Sequence, residues 1–310
     1  MLQSHDKVTQ LFNILEKQQQ QPGDAAVGGS ADHDNVMVSY ATFVSDVLPQ
    51  KLSHQLETIY QEGIEKYGDW GALMPIDPLQ GSLLAWLTRL VNARSVLEIG
   101  TFTGYSTIYL ANALRDNGVE PAGVLEGKPV VTCELFRSVA EYARSNFVKT
   151  GTDAFIDVKV GDAIETLQAL PKGTMFDLIF IYADKPSYKR YFDVILEREL
   201  LTPTGIMAFD NIIMPGIKKT EILADPTPLD NPSAIQEAHQ ILTEALDKSS
   251  PSKHSPIPPS DKLDELTSIM HAFNTYVKQC EAVDHIALPL FTGMLLVRLR
   301  AGKGRGSSVA

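Results

Sequence analysis

Hydrophobic positions along this 310-residue chain return at two alternating intervals. Across 40–67 they recur at helical spacing (Phe43, Val47, Leu52, Leu56, Ile59, Tyr60). The same spacing over 78–91 predicts a helix with Leu79, Leu83, Leu84, Trp86, Leu87 and Leu90 as its buried face. Short β-branched and aliphatic runs then appear at 95–99, 130–134, 155–160, 177–182 and 206–210, with helix-period segments between them. Such alternation predicts an α/β fold, a parallel sheet with helices on both faces. Two last runs, 285–290 and 293–299, are joined by Thr292-Gly293 and read as a hairpin. The expected sheet therefore has seven strands, mostly parallel, with an antiparallel strand at its carboxy-terminal end.

The flanks lack this order. Residues 1–35 carry Gln18 to Gln21 and a Pro-, Ala- and Gly-rich run, low-complexity sequence that cannot bury a core. Val8, Leu11, Phe12 and Leu15 in front of it suit an arm laid on a partner subunit. Between 219 and 262 lies an insertion rich in Pro, Ser and Asp around one helix-like piece, 233–246. It leaves the end of the fifth strand, so it reads either as a lid over a site or as a surface loop. The expected main domain is 36–300, followed by a polar tail, 301–310.

The segment Ser95-Val96-Leu97-Glu98-Ile99-Gly100-Thr101-Phe102-Thr103-Gly104-Tyr105-Ser106-Thr107 is a strand, a tight loop and a helix opening. In an α/β sheet this is where nucleotide-like ligands bind. Gly100 and Gly104, with three residues between them, match neither the dinucleotide fingerprint nor a P-loop. They are expected to let the backbone approach a ligand closely. Glu98, an acid closing the strand, favours a cationic or amine-bearing ligand over a pyrophosphate.

Charge and cysteine usage narrow the classes further. A net charge of −11 and a pI near 5.1 argue against a nucleic-acid partner. No apolar run approaches the roughly 18 residues of a membrane span, and the first residues do not read as a signal peptide. Cys133 and Cys280 lie far apart, with Cys133 expected as a buried thiol, which fits a reducing cytoplasm.

The motif V-L-E-I-G-T-F-T-G-Y-S resembles the first motif of the cation-dependent small-molecule O-methyltransferases, the catechol and caffeoyl-coenzyme A group. The resemblance runs from about Asp69 to Arg298, less the insertion. It implies a Rossmann-like class I methyltransferase fold, S-adenosyl-L-methionine as methyl donor, and a homodimer. The acceptor would be a hydroxyl on a phenol, catechol, glycoside or other secondary metabolite. Around the donor, the resemblance assigns Glu98, Gly100, Thr101 and Gly104 to the first loop. Glu134 would hold the ribose hydroxyls, and Asp162 with Ala163 the adenine, although Asp162 also suits a helix cap. Tyr105 and Ser106 open a helix whose N-terminus favours the donor's carboxylate. Met74, beside Asp77-Pro78-Leu79-Gln80-Gly81, would pack at its methionine end, and Tyr182 and Asp184 close the fourth strand.

The catalytic motif departs from the family pattern. Asp210 and Asn211 match its second pair of metal ligands, but Tyr182 stands where an aspartate normally ligates the ion. A neutral phenol is a poor ligand for Mg²⁺, so a divalent cation is in question here. Lys185 matches the family's general base and needs a lowered pKa to serve. Asp184, Asp210 and the histidines His239, His254 and His271 compete for that role. Phe291-Thr292-Gly293 differs from the segment of the plant relatives, so their acceptor contacts do not transfer. Two other classes stay open: a nicotinamide-dependent oxidoreductase, disfavoured by the glycine spacing and the hairpin, and a cofactor-binding protein without catalysis.

Overall fold

The structure, a computed structural model, describes residues 45, 48–121, 127–213, 232–246 and 260–301. The expected arm 1–35, most of 40–49, His254, the Pro- and Ser-rich half of the insertion and 302–310 lie outside the described residues.

Seven strands form one sheet: β1 (Val96–Ile99), β2 (Val130–Glu134), β3 (Ile156–Val160), β4 (Phe176–Ile181), β5 (Leu201–Asp210), β6 (Val283–Leu288) and β7 (Met294–Leu299). Their order is β3-β2-β1-β4-β5-β7-β6. The pairs from β3 to β5 are parallel, while β7 runs antiparallel to β5 and to β6. The hairpin thus folds back so that its second strand, not its first, meets β5. β1 and β4 lie side by side, with Ile99 opposite Ile181, so the glycine loop and the Tyr182–Lys185 segment leave the sheet as neighbours.

Among the described residues the helices are α1 (Gln50–Tyr67), α2 (Asp69–Leu73), α3 (Pro78–Leu90), α4 (Tyr105–Asp116), α5 (Arg137–Thr150), α6 (Ala163–Ala169), α7 (Tyr188–Glu197), α8 (Pro232–Leu246) and α9 (Ser260–Gln279). Asp77 caps α3, its Oδ1 accepting from the Leu79 N–H at 2.8 Å, and Pro78 occupies the first helical position. Two cores result. One joins α1, α3, α4 and α5 to one sheet face through Leu56, Ile59, Leu84, Ile108 and Phe147. The other joins α6, α7 and α9 to the opposite face through Leu167, Phe192, Phe209 and Phe273. Ring pairs Phe209–Phe273 at 5.0 Å and Tyr188–Phe273 at 5.6 Å stiffen the second core just below the strand ends.

The apolar face expected for α3 needs correction. Leu84 and Leu87 are buried, but Trp86 is 53% and Leu90 60% exposed. The helix carries two apolar stripes, and the buried one holds Gly81, Leu84, Ala85 and Thr88, with Gly81 against the Tyr109 ring of α4. Small residues there let α3 pack against α4, leaving Trp86 and Leu90 outside. Cys133 is a buried free thiol, as expected.

Candidate active site

The first loop is built on its own interior more than on a ligand. Gly100 has φ +98°, and a Cβ there would overlap the Tyr182 carbonyl oxygen. Gly104 has φ +80°, and a Cβ would enter the Phe147 ring. Both glycines are therefore required by backbone sign and by internal packing.

Glu98 is also internal. It is fully buried and accepts from the hydroxyls of Ser106 (2.6 Å), Thr107 (2.5 Å) and Thr132 (2.6 Å). Burial pushes its pKa up to about 7 against the pull of those donors. The carboxylate ties β1 to β2 and α4, so it positions the loop and does not face a ligand. Thr101, also buried, lies with its hydroxyl 2.6 Å from that of Thr132. The Tyr105 side chain points into the core beside Tyr109, and the Ser106 hydroxyl is held by Glu98. What α4 offers the cleft is its N-terminus, which has no side-chain cap at Gly104.

Glu134 ends β2 at the mouth of the loop. Its Oε2 accepts from the Phe102 N–H at 2.9 Å and its Oε1 from the Phe136 N–H at 3.0 Å. Burial raises its pKa, and these backbone donors oppose the rise. The Thr101 and Leu135 N–H groups also favour its ionised form, and a carboxylate at this strand end suits a neighbouring diol. Asp162 caps α6, accepting from the Ile164 N–H at 2.6 Å, next to the buried Ala163. Met74 packs with Phe102, Phe136 and Ile241 on the small cluster of Trp70 and Val139. Tyr67 joins that cluster with its ring 5.2 Å from Phe102, and its buried hydroxyl has no partner. It went unmarked in the sequence because a helix-terminal tyrosine at core spacing looks like any other apolar position.

Beyond the loop, β4 and β5 deliver the catalytic candidates. Lys185 opens a short 3-10 turn (Lys185–Ser187) after Asp184. Its Nζ donates to the Ala183 carbonyl at 3.0 Å and to the Tyr188 hydroxyl at 2.9 Å. It lies 4.7 Å from the Tyr182 ring centre and 4.8 Å from that of Tyr188. Burial pulls its pKa down to about 8, with the charges of Asp210 and Asp184 holding it up. Asp184 Oδ1 accepts from the Tyr191 hydroxyl at 2.7 Å, while its buried Oδ2 has no hydrogen-bond partner. Tyr188 and Tyr191, one helical turn apart, are the supports that sequence reading missed; their spacing after Lys185 was the available signal.

Asp210 is 2% exposed, and burial raises its pKa to about 6 despite Lys185. Its Oδ1 has no hydrogen-bond partner. Asn211 takes φ +57° and accepts through Oδ1 from the Thr292 hydroxyl. The Tyr182 phenol, beside Asn211, has its pKa raised by burial and by Asp210, so it stays neutral. Of the three family ligand positions, one oxygen is engaged, one belongs to a neutral phenol, and a lysine stands close by. This donor set does not fit an octahedral divalent cation, which needs several oxygens with carboxylate charge among them. Among the described residues, no group of three or more His, Cys, Asp and Glu side chains could hold a metal.

The helical piece of the insertion, α8, lies over these groups. Ile241 packs on the Met74–Phe102–Phe136 cluster, and His239 Nε2 comes within 3.8 Å of Asp184 Oδ2. Asp184 raises the His239 pKa against burial. His271 sits on α9 and makes no ion pair with the site's acids among the described residues.

Comparisons with known proteins identify the family and the fold. The O-methyltransferase family model matches residues 49–243. The O-methyltransferase ankF of Aspergillus thermomutatus is 30% identical over 72% of this chain and 78% of that protein. A catechol O-methyltransferase of Niastella koreensis is 35% identical, the match spanning 49% of this chain and 64% of that protein. The Bacillus cereus O-methyltransferase solved in complex with SAH is 25% identical with a TM-score of 0.57, over 84% of this chain and 97% of that one. The SAH-bound methyltransferase PaMTH1 of Podospora anserina shares the fold, with a TM-score of 0.64 at 22% identity over 90% of this chain and all of that one. A sheet whose final strand is antiparallel, an acid at the end of β2, and a matched model spanning more than half the sequence place this chain in the O-methyltransferase family.

Proposed function

We propose that the protein transfers a methyl group from S-adenosyl-L-methionine to a hydroxyl of a small molecule. One observation carries the reading: Glu134, the uncapped start of α4, Asp184, Lys185 and Asp210 all stand at the carboxyl ends of the neighbouring strands β2, β1, β4 and β5. These groups match the donor's chemistry. Glu134 suits the ribose, the α4 N-terminus a carboxylate, and Asp184 an ammonium.

When bound, the donor supplies an electrophilic sulfonium methyl; the acceptor oxygen would bond to that carbon as the C–S bond breaks and its electron pair stays on the departing sulfur. The chain's own work is to orient the two partners and to receive the hydroxyl proton. Lys185 is the group placed for that proton. Its amine is fixed by Tyr188 and Ala183 and is brought by burial close to neutral pH. Asp210 faces the same space and favours the ammonium that forms. Helix α8 reaches the same strand ends, His239 lying beside Asp184 and Ile241 packing on the Trp70–Val139 cluster.

A reducing cytoplasm is the setting this reading implies, and no helix among the described residues is long and apolar enough to cross a membrane. A homodimer is part of the same reading, with Trp86 and Leu90 of α3 as candidates for the contact between copies. The test is transfer of labelled methyl from the donor to a panel of phenols, catechols and glycosides. Tight donor binding with no transfer to any acceptor would leave a cofactor-binding protein without catalysis.

A further inference from the structure

Tyr182 follows β4 directly, and its backbone is clamped on both sides. Its N–H donates to the Ile99 carbonyl at 2.9 Å, and its own carbonyl oxygen fills the space that a Cβ on Gly100 would need. The ring packs on the core formed by α1, α3, α4 and α5, while the residue as a whole is half-buried at the strand ends. Lys185 Nζ lies 4.7 Å from the ring centre.

The Tyr182 hydroxyl uses only half of its hydrogen-bonding capacity. The Thr292 hydroxyl occupies Asn211 Oδ1, and the Asn211 side chain is hydrogen-bonded to the phenol. With its oxygen engaged, the Asn211 amide meets the phenol as a donor. The contact accordingly opposes burial and the charge of Asp210, which raise the phenol's pKa. A tyrosine hydroxyl whose oxygen accepts still has one proton to give. Among the described residues nothing accepts that proton, and Asp210 acts on the phenol through its charge without a hydrogen bond. Thr292, Asn211 and Tyr182 thus form a relay from the β6–β7 turn that leaves one oriented O–H beside Lys185.

We propose that Tyr182 is a catalytic residue, its O–H donating to the acceptor oxygen while Lys185 takes that oxygen's proton. The role rests on the methyl transfer proposed for this site. As the acceptor O–H bond breaks, its electron pair stays on oxygen and its proton passes to the neutral Lys185 amine. The oxygen then bonds to the methyl carbon, and the C–S electron pair leaves with sulfur. Tyr182 keeps its own proton throughout, and its hydrogen bond favours the ionised acceptor. Asn211 and Thr292 act through Tyr182 and are positioning residues.

The test reads the ionisation of a bound probe and so does not need turnover. Para-nitrophenol, whose phenol and phenolate absorb at different wavelengths, is titrated with pH in the complex of the whole protein with S-adenosyl-L-homocysteine. The wild type is expected to ionise the bound probe at a lower pH than water does. Tyr182→Phe, which keeps the ring, should lower the bound ionisation constant about 10- to 100-fold, as loss of one hydrogen bond to a charged group predicts. Its kcat/KM for a phenolic acceptor should fall in parallel. Thr292→Val, which frees Asn211 and leaves the ring alone, should move the constant the same way by about 3-fold, and it decides the question should the Phe variant not fold. A constant unchanged in the variants that fold, or a probe that does not bind the wild type, overturns the proposal. A shift in Tyr182→Phe without one in Thr292→Val removes Thr292 from the relay and keeps Tyr182. Absence of methyl transfer to every acceptor, with the shift in place, refutes the proposed reaction and leaves Tyr182 as the donor to a bound oxygen.

Discussion

Lys185 Nζ donates to the Tyr188 hydroxyl at 2.9 Å, and that hydroxyl lies 2.9 Å from the Asp210 carbonyl to which it donates. The chain of contacts fixes an amine from the end of β4 to the end of β5. Because Tyr188 is buried among Phe209 and Phe273, the amine cannot easily move out to water.

A pH dependence follows. A lysine accepts a proton as the neutral amine, so kcat/KM should climb as pH rises towards about 8 and level off above it. Lys185→Met should lose on the order of 10²- to 10⁴-fold and abolish that limb of the profile. Tyr188→Phe should lower kcat about 10-fold and shift the limb, with donor affinity unchanged. Initial rates from pH 6 to about 10 check all three.

Donor affinity should depend on Glu134. Its two oxygens are oriented by the Phe102 and Phe136 N–H groups, so Glu134→Ala removes a positioned acceptor without emptying the core. Calorimetric titration is expected to show about 10- to 100-fold weaker binding, the worth of charge-assisted hydrogen bonds.

Glu98 should matter for stability rather than for contact with a ligand. Glu98→Ala leaves Ser106, Thr107 and Thr132 without their acceptor and opens a cavity, at a cost of about 2–4 kcal/mol. The wild-type dependence has a defined sign. The folded-state pKa is raised, so the native protein holds a proton that the unfolded chain releases. Stability from this group is full below about 4.5 and declines as pH rises through about 7. Urea unfolding across that range should show the decline, and Glu98→Gln should remove it.

The seat of α8 should weaken with rising pH. Asp184 raises the pKa of His239, so this contact is fully present below the ordinary histidine value and fades as pH passes the raised one. Hydrogen exchange in 232–246 should therefore quicken with pH beyond the intrinsic rate, and His239→Ala should remove that excess. Equal protection in both proteins at low pH would show that contacts other than His239 hold the helix.

Period and turn chemistry in the sequence determined the seven strands, the hairpin and the glycine loop, because alternation, helical spacing and glycine at positive φ are local properties. The sequence likewise marked Glu134, Asp162, Lys185 and Asp210, since each ends a strand or opens a helix. Tertiary structure alone decided which of the marked groups face the cleft. Glu98 and Thr101 turned inward, because three hydroxyls from β2 and α4 converge on one carboxylate. Gly100 proved to be set by the Tyr182 carbonyl on the neighbouring strand. Trp86 and Leu90 turned outward, because α4 accepted the small-residue stripe of α3. Which oxygens remain unpaired depends on contacts between residues far apart in the chain: Gln80 with Asp210, Thr292 with Asn211, and His239 with Asp184. Such pairings have no local signature, because burial and hydrogen-bond partners are assigned only when the strand ends meet.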